Sequence, residues 1–363
     1  MNLSYNKANA LFKEDKIREL ASTTDGLKFL KLRSLSRKEY MAFLLDKKGL
    51  DVGNRKSRDW LELLYESRLS MVLIDSTISE LYDTGRAERK TNEDSLISEL
   101  YKVSAFEWGG LYQNSLEKTI VDNYVKKMAS YDTLNSAIEN ELHHSMRAYV
   151  LASWYNHWTS IIIEDIFKDH SQVLPAVGLI KKIDFFVKDK PFDLKVTYLP
   201  EGYIKERRKN DGLRSELTLL KKAARELKIA FDRNGSESFL IPDLWQKLED
   251  NPLNQAKNLI VDIKGKREEI LQECLDYPER LVRWLYENQG VRRFDASNRL
   301  FLVLVDKSNL FESWKLKRAK QLIEEKVCAH LDSVSSEPGF SLNFNWDGKN
   351  YKTESDIIFV VKG

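Results

Sequence analysis

Two acids and a lysine stand in the stretch IDFFVKDKPFDLKVTYLP, Ile183 to Pro200, where hairpin packing has no use for them: Asp184, Asp193 and Lys195. Side chains in a strand alternate faces, so Asp193, Lys195 and Thr197 share one side while Phe192, Leu194 and Val196 take the other. Asp184 joins the first side if the hairpin pairs an even-numbered residue with an odd-numbered one, as a two-residue turn at Lys188-Asp189 or Asp189-Lys190 would do. Cross-strand partners then stand roughly 4.5–5.5 Å apart between Cβ atoms. Carboxylates that close raise one pKa unless a cation separates them, and hard oxygen ligands are what Mg²⁺ requires. A metal there would polarise a phosphate oxygen, and a neighbouring lysine would orient water or meet developing negative charge. That chemistry is phosphodiester hydrolysis. A solvated strand face shows the same alternation, so the reading needs support from the elements around the hairpin.

The helix WYNHWTSIIIEDIFKDH, just before it, supplies a further acid. Glu164 lies among Ile161, Ile162, Ile163, Ile166 and Phe167, and an ionised carboxylate on so apolar a helix should not be buried without a charged partner. Asp165 is the weaker alternative, and the polar edge of an amphipathic helix would account equally for Glu164.

All seven prolines lie at Pro175 or later, which leaves the first 174 residues able to form a long series of helices. Ser36 and Glu39 have capping-box spacing, and WLELLYESRLSMVLIDSTISELY carries apolar residues at helical intervals. Further helices are expected over 95–108, 114–130 and 136–168. Beyond Pro175 the expectation is strands near 180–188 and 191–198, a helix at 213–231, a strand in NLIVDIK (258–264) and a helix at 266–288. A strand at 300–306, a helix at 312–332 and a terminal strand pair near 340–346 and 355–361 follow. The fold class is therefore α/β, a mixed central sheet flanked by helices, with a largely helical N-terminal region over 1–135 and a sheet domain over 136–363. That boundary is soft, and the N-terminal helices could pack directly on the sheet.

Asp184 followed by Asp193-Leu194-Lys195 resembles the acid…(Asp/Glu)-x-Lys signature of the PD-(D/E)XK nuclease superfamily, and KKIDFFVKDKPFDLKVTYLP is most similar to its type II restriction endonucleases. The similarity covers roughly residues 150–310, and its motif is short. It implies a restriction-endonuclease-like core, Asp184 and Asp193 as Mg²⁺ ligands, Lys195 as the catalytic lysine assisting water, and Glu164 as an addition to the site. Ile183 stands where the name-giving proline would be, but that proline binds no metal. A second match, Pro242-Asp243 with Asp262-Ile263-Lys264, is kept as a rival. Pro242-Asp243 reads more simply as a helix start, and the run before Asp262 as another central strand.

KERRKNDGLRSELTLLKKAARELKIAFDR carries ten Lys/Arg against five Asp/Glu, and Arg207, Arg208, Lys209, Arg214, Lys221, Lys222 and Arg225 are candidates for holding double-stranded DNA by its phosphates. Arg292-Arg293 is a weaker cluster. The net charge of +2 in 363 residues neither suggests nor excludes nucleic acid. A palindromic target would call for a homodimer, and the helical N-terminal region could form its interface or clamp the duplex. No Walker or dinucleotide-binding loop is seen, so no nucleotide cofactor is expected, and the five scattered histidines suggest no zinc site. Cys274 and Cys328 form no disulfide framework, and no apolar run suits a signal peptide or membrane span. A cytoplasmic protein fits these features. Two alternatives remain: a repair or structure-specific nuclease of the same fold, and a non-catalytic DNA-binding or scaffold protein.

Overall fold

Apolar residues at helical spacing, uninterrupted by proline, make the first hundred residues helical. In the computed structural model, which describes residues 3–104, 120–178, 180, 182–233, 235–288, 298–333, 339–346 and 348–363, they form α1 (Tyr5–Lys13), α2 (Ile17–Ala21), α3 (Thr24–Ser34), α4 (Lys38–Lys48), α5 (Trp60–Glu66) and α6 (Met71–Tyr101). Ser4 and Thr23 cap α1 and α3 by accepting backbone N–H bonds. The capping box expected at Ser36 is not formed: the N-cap of α4 is Arg37, and no side chain caps it. The apolar pattern over 60–81 is two helices, parted after Glu66. The segment expected as a helix over 95–108 is helical to Tyr101 as the end of α6, and residues 105–119 lie outside the described residues. A π-turn at Val121–Val125 is followed by α7 (Tyr131–Ala137), a π-helical stretch at Ile138–Leu142 and α8 (His143–Lys168).

The sheet follows α8. Its strands are β1 (Val173–Pro175), β2 (Phe185–Val187), β3 (Lys190–Tyr198), β4 (Asn298–Asp306), β5 (Phe340–Trp346) and β6 (Lys349–Lys362), in the order β1-β2-β3-β4-β6-β5. β1, β2 and β3 form an antiparallel meander, β4 is parallel to both β3 and β6, and β5 closes the far edge antiparallel to β6. Paired in parallel on both sides, β4 is buried along its whole length, which is why NRLFLVLVD is nearly continuous in apolar residues. The fold is thus a mixed six-stranded sheet flanked by helices. Strand β1 was not expected from the sequence.

Between β3 and β4 the chain forms α9 (Glu201–Asn210), α10 (Glu216–Glu226), α11 (Glu237–Glu249), α12 (Asn254–Asp276) and α13 (Pro278–Asn288). A 3₁₀ stretch at Leu310–Arg318 and α14 (Lys320–Ser333) follow β4. The single helix expected over 213–231 is thus shorter and preceded by α9, from which Gly212 at φ +70° parts it. NLIVDIK is helix and not strand: within α12, Ala256, Ile260, Ile263, Ile270 and Cys274 are buried while Val261 is 65% exposed. That three-and-four spacing is invisible in seven residues taken alone.

By contacts the chain divides into two units, one of residues 1–95, 162–199 and 274–363, the other of residues 96–161 and 200–273. The first holds the sheet and most of the N-terminal helices. One core runs from Phe29, Leu30, Leu44 and Ile78 of those helices to Ile180, Ile183 and Phe186, so the helices pack directly on the hairpin. Gly178 makes close approach possible: a Cβ there would fall 2.1 Å from the carbonyl oxygen of Ser34. On the other side of β2, Phe185 stacks on Phe167 of α8 at 5.2 Å. The second unit is helical.

Candidate active site

The hairpin turns at Lys188-Asp189, both at positive φ (48° and 67°), with Val187 opposite Lys190 and Phe185 opposite Phe192. Positive φ at both central residues is the backbone of a two-residue I′ turn, which an aspartate tolerates better than most side chains. Residues of opposite parity thus face each other across the turn, and the regular ladder ends at Phe185. Asp184 lies just before β2. Its backbone N–H still donates to the carbonyl of Phe192 at 2.8 Å, while its Oδ2 accepts the N–H of Leu194 at 2.7 Å. The carboxylate is held by the strand that carries Asp193 and Lys195.

Burial first, and the like charge of Glu164 next, push Asp184 up to about 6; Asp193 adds to the rise, against the Leu194 N–H and the charge of Lys168. The charges of Glu164 and Asp193 are thus felt at Asp184 although the three acids come from different elements. Each is engaged within the protein. Lys195 Nζ lies 2.6 Å from Asp193 Oδ1, and Lys168 Nζ lies 2.7 Å from Glu164 Oε2. Among the described residues no three His, Cys, Asp or Glu side chains are already drawn together as a metal cage. The donor set still suits a hard divalent ion: carboxylate oxygens only, in a place where mutual repulsion already opposes ionisation.

Two cations here escaped the sequence reading. Lys168 is one turn beyond Glu164 and could have been found by i,i+4 spacing. Arg299 could not, because parallel pairing of β3 with β4 is what sets it opposite Asp193 across 106 positions of chain. Its Nε is 3.9 Å from Asp193 Oδ2, and its buried guanidinium lies over the Tyr286 ring. Asp165 is excluded by its direction. Buried on the neighbouring face of α8, it takes a two-pronged bond from Arg89 (2.8 Å to each oxygen), with Arg86 at 3.7 Å.

The rival motif is dispersed. Pro242 and Asp243 lie inside α11, not at its start, with Asp243 paired to Lys247. Asp262 and Lys264 lie on α12, Asp262 exposed and Lys264 paired to Glu249 at 2.6 Å. None is on a strand.

The basic candidates all belong to the second unit. Arg207 is paired with Glu273 through Nε and Nη2, and Arg208 is buried with Nε on the carbonyl of Arg214. Lys209, Arg214, Lys222 and Arg225 are exposed and Lys221 is half-exposed. Arg292 and Arg293 lie outside the described residues. Among the described residues no helix is long and apolar enough to cross a membrane. No protein-family model, no curated protein and no solved structure matches this chain.

Proposed function

We propose that the protein is a Mg²⁺-dependent endonuclease that hydrolyses phosphodiester bonds of double-stranded DNA. The observation that carries the reading is the hold on Asp184 by the strand that carries Asp193 and Lys195, where burial and the charge of Glu164 push Asp184 up to about 6. Nothing in hairpin packing requires that repulsion. Asp184 and Asp193, with Glu164, would hold the ion. Bound Mg²⁺ would supply Lewis-acid polarisation of the phosphate and a more acidic water.

The remaining work falls to the chain. Asp184 is fixed by the Leu194 N–H, so its second oxygen is presented in one direction. Lys195, 46% exposed, can exchange Asp193 for solvent and orient the attacking water or meet charge building on the phosphate. The water oxygen forms the new bond to phosphorus and gives its proton to solvent, while the bond to the sugar oxygen breaks and that oxygen leaves as a hydroxyl, taking a proton from solvent.

A sequence-specific restriction enzyme acting as a homodimer in the cytoplasm is the finer form of the proposal, and it rests on the motif's resemblance. Lys209, Arg214, Lys221, Lys222 and Arg225 would grip phosphates, and the N-terminal helices would clamp DNA or join two copies. A non-catalytic DNA-binding protein is the second reading, favoured by the pairing of Asp193 and Glu164 with lysines as in ordinary ion pairs. Incubating supercoiled plasmid with the protein and Mg²⁺, with an EDTA control, separates the two. Nicked or linear product that EDTA prevents supports the nuclease, and product ends at one fixed sequence support the restriction type. Intact plasmid under every divalent ion favours the binding protein.

A further inference from the structure

Lys195 and Arg299 approach different oxygens of the Asp193 carboxylate and are held very differently. Lys195 Nζ lies 2.6 Å from Oδ1 at the end of a half-exposed side chain, so it can part from the acid. Arg299 Nε lies 3.9 Å from Oδ2, and its side chain is only 8% exposed. Parallel pairing of β3 with β4 sets the two residues opposite each other, so their approach is built into the register of the sheet. The arginine is tied down along its length. Its guanidinium carbon lies 4.8 Å from the centre of the buried Tyr286 ring, its backbone N–H donates to the Tyr286 hydroxyl at 3.2 Å, and its carbonyl accepts from Ser355 Oγ at 2.7 Å. Thr353 Oγ1, 3.3 Å from the same hydroxyl, holds Tyr286 in turn. At 3.9 Å Arg299 gives Asp193 charge without a hydrogen bond, so the contact does not occupy a lone pair of Oδ2.

We propose that Arg299 is a positioning residue for Asp193: a fixed cation that keeps the carboxylate in place when Lys195 turns to water or phosphate. The inference rests on the nuclease reading and adds to it a residue that the motif does not assign. The proposed chemistry draws Lys195 away from Asp193, and a carboxylate released by that lysine would be free to turn about its side-chain bonds. A second cation that cannot move prevents this. Arginine suits the task, because a planar guanidinium packed over an aromatic ring stays charged and keeps one orientation. A lysine in its place would swing on a flexible stem. Buried as it is, Arg299 acts through Asp193 and not on the phosphate.

The test combines two measurements on the full-length protein and its variants R299M, R299K, D193N and R299M/D193N. Urea unfolding in EDTA reads the contact itself, without metal or DNA. The double variant should unfold with a constant about tenfold smaller than the product of the two single effects, as coupled neighbours do. Effects that multiply to within about twofold overturn the contact. Steady-state plasmid cleavage at saturating Mg²⁺ reads the duty. R299M should lower kcat by about tenfold or more while KM for DNA stays within about twofold of wild type, a split that a purely structural role would not produce. R299K keeps the charge without the stacked plane, so its kcat should lie between the two, and it carries the cleavage measurement alone if R299M does not fold. A wild-type kcat in either variant, or a raised KM with kcat unchanged, overturns the positioning role while leaving the metal site standing. Absence of cleavage by wild type overturns the nuclease reading, and this role with it, whatever the unfolding cycle reports.

Discussion

The backbone N–H of Leu194 donates to Asp184 Oδ2 at 2.7 Å, so the residue between the second acid and the lysine fixes the first acid. The cost is electrostatic, because that carboxylate is pushed up to about 6 by burial and by Glu164. An acid with a folded pKa above its unfolded value binds more protons in the native state, so stability declines as pH rises from 3.8 to about 6 and stays reduced above that. A displacement of that size corresponds to about 2–3 kcal/mol. D184N keeps an oxygen for the Leu194 N–H and loses the charge. In EDTA at pH 7.5 it should be more stable than wild type by up to about 2–3 kcal/mol in urea unfolding, with the gap narrowing by pH 5. Cleavage should be lost. Destabilisation at pH 7.5 would show that the charged form is the one the fold favours.

Asp193 and Lys195 are expected to separate folding from chemistry. Lys195 is largely exposed, and its 2.6 Å pair with Asp193 contributes about 1 kcal/mol or less. K195A should therefore unfold within about 1 kcal/mol of wild type and bind duplex DNA with nearly wild-type affinity, yet cut at least about 100-fold more slowly. D193A should lose cleavage as well. Plasmid cleavage and gel-shift assays on the same preparations check both, and full activity in either variant removes that residue from the site.

Legibility in the sequence followed the range of the interaction. Alternation in IDFFVKDKPFDLKVTYLP was enough to place Asp193 and Lys195 on one face, while parity left two turns open, of which the chain forms the one at Lys188-Asp189. The apolar neighbours of Glu164 called for a charged partner, which Lys168 supplies. Arg299 and the direction of Asp165 were not, since one depends on parallel pairing with a distant strand and the other on where Arg86 and Arg89 of α6 arrive. NLIVDIK failed for another reason. Seven apolar-rich residues fit either a buried strand or one face of a helix, and only the 23-residue span of α12 discloses the helical stripe.

That correction makes the rival motif testable. Asp262 is exposed on α12, and Lys264 forms a half-exposed pair with Glu249 while approaching the Trp245 ring at 5.9 Å. D262A and K264A should each change stability by less than about 1 kcal/mol and leave both cleavage and Mg²⁺ binding unaltered. Loss of either activity in D262A would move the metal site to the second unit.

Glu164 and Asp165 offer the sharpest contrast, because adjacent residues on one helix point to different duties. Glu164 Oε2 meets Lys168 beside Asp184, and its side chain is 36% exposed. Asp165 is 6% exposed by its side chain, and its carboxylate joins Arg89 and Arg86 in a network that also includes Tyr82, Asp169 and Glu93. Removing one partner of a buried ion pair leaves uncompensated charge and costs on the order of 3 kcal/mol. D165N should therefore unfold at markedly lower urea concentration while its folded fraction still cleaves DNA. E164Q should behave in the opposite way, with stability within about 1 kcal/mol of wild type and cleavage reduced by about tenfold or more. Paired urea melts and plasmid assays distinguish these outcomes. If E164Q cuts normally, the metal is held by Asp184 and Asp193 without help from the helix.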